Sequence, residues 1–335
     1  MYPDIGIKKA PPTVPSELIQ YIKSGTNFVI AGHKEPDGDC VGSQLALRSA
    51  LLRLGKKAVV CSEGPFARKE LSKYFDLFTA SPAEEDKIDA KAIIVDCIGI
   101  ERTGILKEFL GKMPFAIIDH HECVTHPPST PEAPVFVDAD SPSCTLLVEK
   151  VIAALDLEMT DEEANLLFFG LCTDTGFFRH LTKDNADVFE AAAKMIRHGA
   201  SPKDTYRNIY GRKSLKSRIL IGQILSGTES HFDGRLLISY ETLENFTDYG
   251  FENRDSEILN QLLQSIEGVE AIVIIRQELA DNCTVSLRSI DKIDVAQIAV
   301  SFGGGGHKNA SGLTMQGSIP YIKQIMLESF SKFFV

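Results

Sequence analysis

Short apolar runs alternate with amphipathic stretches along the chain from about Ser16 onward. Phe28-Val-Ile-Ala31, Ala58–Cys61, Ala92–Val95 and Phe115–Ile118 are continuous apolar runs bounded by polar residues, the pattern of strands buried on both faces. Between the first two, Val41 to Leu54 carries apolar residues at helical spacing, and Gly55 follows as a stop. Strands separated by helices predict a parallel sheet with helices on both faces. Thr160 with Glu163 has the capping-box pattern and predicts a helix through Leu166–Cys172 that stops near Thr173. Ala186 to His198 predicts another, ended at Gly199-Ala-Ser-Pro202. Tyr206 to Ser226 predicts a single connecting helix. Strands at Leu236–Tyr240, Ala271–Ile275 and Thr284–Leu287, with helices at Val295–Phe302 and Ile322–Phe334, predict a second, smaller α/β unit. The expected organisation is a first domain over 16–205, a helical linker over 206–228 and a second domain over 229–335.

Composition narrows the function. The 335 residues suit two domains, at about 100–200 residues each. A net charge of -11 argues against broad binding to long duplex DNA, which needs a basic face. Small anionic substrates stay open, because bound divalent cations supply positive charge locally. The seven cysteines include no C-x-x-C pair, so neither a disulfide framework nor a structural zinc site is expected. Reduced thiols packed as small core residues, in a cytoplasmic protein, fit best. No apolar run approaches the ~18 residues of a membrane span, and the first residues lack the apolar core of a signal peptide. Pro3, Pro11, Pro12 and Pro15 predict an extended arm before the first helix. Arg212, Lys213, Lys216 and Arg218 on the linker suit either an anionic substrate or a solvated helical face.

Four polar clusters interrupt the apolar pattern. His33-Lys-Glu-Pro-Asp37-Gly-Asp39 follows the first strand, Asp96 ends the third, and Asp119-His120-His121 ends the fourth. Asp174, in Cys172-Thr-Asp174-Thr-Gly176, lies just past a helix. Three of the four therefore fall at the carboxyl edge of one sheet, where open parallel sheets bind ligands. Gly38 is expected to let the chain turn sharply between two carboxylates, whose repulsion calls for a cation. Alone, the first cluster could be a polar turn and His121 a structural histidine. Together they point to a metal site. Carboxylates with some imidazole and no thiolate suit Mn²⁺ or Mg²⁺ better than structural zinc. So many aspartates can hold two ions, about 3.5–4 Å apart, which clamp the oxygens of an in-line phosphoryl displacement. In the second half, the glycines before His307 let backbone N–H groups approach an anion. Arg288 can grip phosphate through both arms of its guanidinium. Arg102 and Arg179, just after Asp96 and Asp174, suit either phosphate charge or surface salt bridges.

These clusters, in this order, resemble the DHH phosphoesterase superfamily. The likeness rests on Asp119-His120-His121, on His33-x-x-x-Asp37-x-Asp39 with Gly42-Ser43, on Asp96 and on Asp174-Thr-Gly176. The second half is similar to the DHHA1 domain, through Ser286-Leu-Arg288-Ser289 and the segment from Phe302 through Gly306 and His307 to Ser311-Gly312. The overall size looks most like the oligoribonuclease/pAp-phosphatase branch, the NrnA type. The resemblance implies that His33 and Asp37 hold one ion, Asp39, His120 and Asp174 a second, and that Asp96 bridges them. His121 would orient the attacked phosphate or assist the leaving oxygen, with Asp119 supporting the histidines. Arg288, Ser289, Gly304, Gly305, Gly306 and His307 would bind the terminal phosphate or base of a short nucleotide across an interdomain cleft. Arg102 and Arg179 would assist. Two divalent ions, Mn²⁺ first and Mg²⁺ as the alternative, are the implied cofactors.

The implied substrates are short oligoribonucleotides, linear dinucleotides such as pApA from cyclic dinucleotide turnover, and pAp. A homodimer also comes with the resemblance. Two departures stand out: Cys40 where a small residue such as Ala is usual, and Leu147 where a Glu is expected. Three alternatives compete. An inorganic pyrophosphatase or polyphosphatase would carry a different second domain, rich in Arg and Lys. A RecJ-like exonuclease on long single strands is opposed by the acidic charge and by the lack of an aromatic OB-like domain. A nucleotide-binding module without turnover is opposed by the complete ligand set.

Overall fold

The computed structural model describes residues 13–121, 134–211, 213–290 and 292–334. Pro3, Pro11, Pro12, Cys123 and Arg212 therefore lie outside the described residues. The chain divides into two units, Met1–Gly211 and Arg212–Val335.

In the first unit, α1 (Ser16–Ser24) leads into β1 (Asn27–Ala31), α2 (Gly38–Arg53) and β2 (Lys57–Cys61). Then come β3 (Ala90–Val95), the single turn α3 (Lys107–Leu110), β4 (Phe115–Asp119) and β5 (Val135–Val137). Four helices close the unit: α4 (Cys144–Ala154), α5 (Asp161–Asp174), α6 (Ala186–Arg197) and α7 (Pro202–Ile209). All five strands are parallel, in the order β2-β1-β3-β4-β5. Phe28 and Ile30 of β1 enter the core shared with α2, α4 and α5, while Val29 and Ala31 enter the core of the opposite face. Burial on both faces is why these strands read as unbroken apolar runs. The order changes direction between β1 and β3, which makes their carboxyl ends the switch point of the sheet.

Local chemistry sets where α2 begins. Asp37 is its N-cap and accepts from the N–H groups of Asp39 and Cys40, both at 3.1 Å. The helix thus starts at Gly38, earlier than the apolar spacing predicts. Gly38 is not the expected sharp turn. It is a helical residue, and a Cβ there would meet Thr173 Oγ1 of α5 at 2.5 Å. A Cβ on Gly170 would likewise meet Asp39 Cα at 3.0 Å. The missing side chains let α2 and α5 close on each other and bring Asp39 towards Asp174. The Thr160–Glu163 capping box forms as expected.

The predicted single helix over 206–226 is two helices, one in each unit. Tyr210 caps the first, and Ser214 caps α8 (Leu215–Ser226) by accepting from Ser217 N–H at 3.0 Å. Of the basic linker residues, Lys213 and Arg218 pair with Asp255, at 3.7 and 2.8 Å, and Lys216 is exposed.

The second unit continues with β6 (Glu229–His231), β7 (Leu236–Glu241), α9 (Leu243–Tyr249) and α10 (Ser256–Gln264). It ends with β8 (Ala271–Leu279), β9 (Asn282–Ser289), α11 (Val295–Ser301), β10 (Gly305–His307), β11 (Ala310–Gln316) and α12 (Ile319–Ser331). Its six-stranded sheet has the order β10-β11-β9-β8-β7-β6, and β7–β8 is its parallel pair. The glycine stretch expected as a loop is partly strand: Gly305–His307 pairs antiparallel with β11. The six described cysteines are buried and free. Among the described residues, no helix is long and apolar enough to cross a membrane.

Candidate metal centre

All six expected ligands converge at the carboxyl ends of β1, β3 and β4, with α2 and α5 supplying the rest. His33 follows β1, and its Nε2 lies 3.8 Å from Asp37 Oδ1 and 3.5 Å from Asp96 Oδ2. Its Nδ1 sits 2.8 Å from the Lys34 carbonyl, which takes the ring proton and leaves Nε2 for an ion. His120 is arranged the same way. Nδ1 faces the Ser141 carbonyl at 3.1 Å. Nε2 lies 3.3 Å from Asp96 Oδ1, 3.2 Å from Asp174 Oδ2 and 3.7 Å from Asp39 Oδ2. Asp96 therefore faces both histidines. It adopts the left-handed backbone region, with φ 58°, a conformation costing on the order of 1–3 kcal/mol that persists at functional sites when its surroundings hold it.

Asp39 is fully buried at the N-terminus of α4. Cys144 N–H donates to Oδ2 and Thr145 N–H to Oδ1, the latter at 2.9 Å. The helix end thus stabilises a carboxylate delivered by another helix. Burial nonetheless pushes the Asp39 carboxyl well above the ordinary range, and repulsion from Asp96 and Asp174 adds to it. Burial also raises Asp174, against the contact with His120. Burial would raise Asp37 too, but His33 and the Cys40 N–H outweigh it and hold that carboxyl down to about 2. Burial would lower both histidines; Asp37 and Asp96 drive His33 upward instead, and Asp174 and Asp96 raise His120 to about 11. Crowded carboxylates that pull protons onto neighbouring rings are a site short of positive charge.

Divalent ions fit that deficit. Asp96 Oδ1, Asp119 Oδ2 and His120 Nε2 are buried with no hydrogen-bond partner. Ligand atoms of Asp39, His120 and Asp174 lie within 4.8 Å of one another, as do those of Asp96, Asp119, His120 and His121. Asp119, also fully buried, accepts at Oδ1 from the backbone N–H groups of His120 and His121, at 2.7 and 3.3 Å, and pairs with His121 Nδ1 at 2.8 Å. The His121 side chain remains 41% exposed, so its Nε2 is the ring nitrogen available to a substrate. A roomier acidic cavity of about 1040 Å³, lined by residues such as Asp138, Asp140, Glu149 and Glu190, contains none of these ligands. The chemistry lies in the tight polar cluster.

Residues 27–171 match the DHH family N-terminal domain, and residues 233–334 match the DHHA1 domain. The bifunctional oligoribonuclease and PAP phosphatase NrnA of Thermus thermophilus is 32% identical over 295 residues, covering 86% of this chain and 84% of that protein. The chain belongs to the DHH–DHHA1 phosphoesterase family. As a member, it is a metal-dependent phosphoesterase with a two-metal site. An exopolyphosphatase-related protein from Bacteroides fragilis superposes with a TM-score of 0.79 at 22% identity over 95% of both chains. The exonuclease RecJ bound to manganese superposes at 0.53, with 14% identity over 94% of this chain and 93% of that one. At such identities these two share the fold.

The DHHA1 half of the phosphoesterase places its candidate residues less uniformly. Arg288, on β9, is half-buried; its Nη1 donates to the Leu287 carbonyl at 3.0 Å, and no carboxylate among the described residues forms an ion pair with it. Gly305, Gly306 and His307 are exposed, and Gly304 is half-buried. Ser289 departs from expectation. Successive residues of a strand face opposite sides, and Ser289 points into the interior, where its Oγ donates to the Ile293 carbonyl at 2.6 Å. Its side chain is structural. In the DHH half, Arg102 is exposed and its carbonyl accepts from Lys34 N–H at 2.8 Å. Arg179 is exposed with Nη2 3.3 Å from His180 Nε2.

Sequence reasoning missed four kinds of supporting group in this phosphoesterase: the Cys144 and Thr145 N–H groups, the Lys34 and Ser141 carbonyls, Arg68, and the Cys40 thiol. Backbone groups leave no mark in a sequence. Arg68 Nη2 stands 4.0 Å from Asp37 Oδ2, and its only signal is its place beyond β2.

Proposed function

We propose that this enzyme hydrolyses short oligoribonucleotides and linear dinucleotides such as pApA to mononucleotides, and dephosphorylates pAp to AMP, in the cytoplasm. One observation carries the proposal: the same chain holds a complete two-ion ligand cluster and, in its second unit, a half-buried arginine with no carboxylate partner among the described residues. A partly desolvated cation of that kind is costly until an anion meets it. The name of the Thermus thermophilus relative supports oligoribonucleotides and pAp among these substrates. Two bound divalent ions, Mn²⁺ in preference to Mg²⁺, would supply Lewis-acid charge and a nucleophilic water at neutral pH. His33, Asp37, Asp39, Asp96, His120 and Asp174 hold them. Asp119 fixes the Nδ1 side of His121, whose Nε2 orients the attacked phosphate or meets the leaving oxygen. Arg288, His307 and the N–H groups around Gly304, Gly305 and Gly306 take the terminal phosphate or base, while Arg102 and Arg179 sit ready for charge that develops at phosphorus. We further propose that the chain acts as a homodimer, away from long duplex DNA and membranes.

Chromatographic product analysis with Mn²⁺ tests this on pAp, pApA, a five-residue RNA, a long single strand, a cyclic dinucleotide and pyrophosphate. Asp119→Ala and His120→Ala serve as controls. Mononucleotides from the short substrates, absent in both controls, are the expected outcome. Consumption of pyrophosphate or of the long strand alone would leave the metal centre standing and overturn the substrate assignment.

A further inference from the structure

Cys40 follows the ligand Asp39 on α2 and is fully buried. Its Sγ, a ring nitrogen of His33 and a carboxylate oxygen of Asp96 all lie within 4.8 Å of one another, the same span that groups Asp39, His120 and Asp174. The sulfur sits over Gly32, where a Cβ would approach it to 2.2 Å, so the residue before His33 makes room by having no side chain. Gln44, one helical turn on, places its amide 3.4 Å from Sγ. In the orientation in which its nitrogen donates to the Ile30 and Cys61 carbonyls, both at 3.2 Å, that amide is anchored to the backbone of β1 and β2 beside Cys40. On the His33 side Asp96, 2% exposed, brings its Oδ2 to 3.5 Å from His33 Nε2. Cys97 and Cys144 are buried as well, yet neither joins a ligand cluster among the described residues.

We propose that Cys40 Sγ is a further donor to the ion held by His33 and Asp96, and that this position therefore favours thiophilic divalent ions such as Co²⁺, Zn²⁺ and Fe²⁺ over Mg²⁺. Soft sulfur ligands select such metals, whereas a site of carboxylates and imidazole alone suits Mg²⁺ and Mn²⁺. Coordination breaks the S–H bond, forms a metal–sulfur contact and releases the proton to solvent, with no change of oxidation state. The inference rests on the two-ion assignment of the cluster and is independent of the substrate.

The test is a Co²⁺ titration of the full-length, chelator-treated protein, followed by absorption. The wild type should develop a near-ultraviolet thiolate-to-cobalt charge-transfer band that saturates with one ion per chain. Cys40→Ser and Cys40→Ala should lose that band and keep the visible ligand-field bands, with circular dichroism verifying their fold. X-ray absorption at the cobalt edge of the wild type needs no variant and should show a sulfur neighbour near the ~2.3 Å typical of metal–thiolate bonds. Ligand-field bands without charge transfer or a sulfur neighbour in the wild type would overturn the proposal and leave the two-ion site intact. A charge-transfer band that survives in both folded variants would assign the sulfur to another cysteine. Failure to bind cobalt at all would remove the two-ion assignment along with it.

Discussion

Asp39 in the first unit accepts from two backbone N–H groups, and His33 and His120 each hand one ring nitrogen to a carbonyl. The Arg288 side chain in the second unit donates to a backbone carbonyl and has no carboxylate partner among the described residues, and His307 is exposed on a three-residue strand. The first set is fixed from behind by buried structure, so each donor atom is aimed before anything binds. The second set is left free to adjust. Chemistry at phosphorus rewards exact placement of the reacting groups. Holding the end of substrates that differ in base and length rewards adaptability. The contrast predicts that substitutions in the two places fail in different ways, in turnover for the first and in affinity for the second.

Asp96→Asn should have the largest effect. Asparagine accepts the left-handed backbone of this position, so the change removes charge and leaves the fold. Loss of the carboxylate shared by both histidines should lower kcat on the order of 10³-fold, in line with the several kcal/mol that metal charge contributes at the transition state. The ion stoichiometry should drop as well. Steady-state rates combined with metal analysis of the purified variant check both. A variant with wild-type turnover would break the contrast on the side of the first unit.

Arg288→Ala should raise KM for terminally phosphorylated short substrates by roughly 10–100-fold, the range expected for lost hydrogen bonds to a charged group, with kcat within a few-fold of wild type. Arg288→Lys should restore part of the affinity, as a point charge without the planar fork. A fall in kcat with unchanged KM would place this arginine with the reacting groups and dissolve the division of labour.

Much of the first site was legible because it interrupts the apolar pattern where the chain leaves a strand. His33, Asp96, Asp119 and His120 announce themselves that way, and the order of the clusters supplied the rest. The clamp on Asp39 was not legible, since the N–H groups of Cys144 and Thr145 are common to nearly every residue. β5, only three residues long, was too short for periodicity to register. The break between α7 and α8 was legible in principle, through Gly211 and the Ser214–Ser217 cap, but apolar spacing runs on either side of it and masks the join. Gly303 to Gly306 read as a loop because glycine carries no side-chain pattern; the partner strand β11 draws part of it into the sheet. Cys40 read as a departure from a small residue, outside the ligand set. Only the packing of Gly32 and the reach of Asp96 turn it into a neighbour of the ligands.

A smaller effect separates the units by pH. In the ion-free protein Asp39 and Asp174 have raised carboxyls, and His120 is raised from 6.5 to about 11. Groups raised in the folded state stabilise below their unfolded values and lose that contribution as pH climbs through the folded ones. The first unit should therefore lose stability as pH rises above about 6.5 towards about 11, and bound ions should offset more of the loss at the upper end, because deprotonated ligands bind them better. Asp37, held down to about 2, acts in the opposite sense only below its unfolded range near pH 4. Hydrogen exchange read separately for the two units, after chelation and after Mn²⁺ addition, checks this. A pH-independent first unit would mean that the crowded carboxylates are relieved without ions.

Ser289→Ala should have the smallest effect and is the sharpest control on the second unit. Its hydroxyl donates to the Ile293 carbonyl inside the protein, whereas the neighbouring Arg288 side chain lies on the opposite face of the same strand. Removing the hydroxyl leaves that carbonyl short of a partner and should cost about 1–2 kcal/mol of stability. Denaturant unfolding measures the cost. KM for short phosphorylated substrates should stay unchanged. Adjacent residues of β9 would then part cleanly, Arg288 moving affinity without stability and Ser289 moving stability without affinity. An increase in KM for Ser289→Ala comparable to that for Arg288→Ala would instead mean that the interior hydrogen bond holds the binding face in shape, and the second unit would be more rigidly organised than the contrast with the metal centre allows.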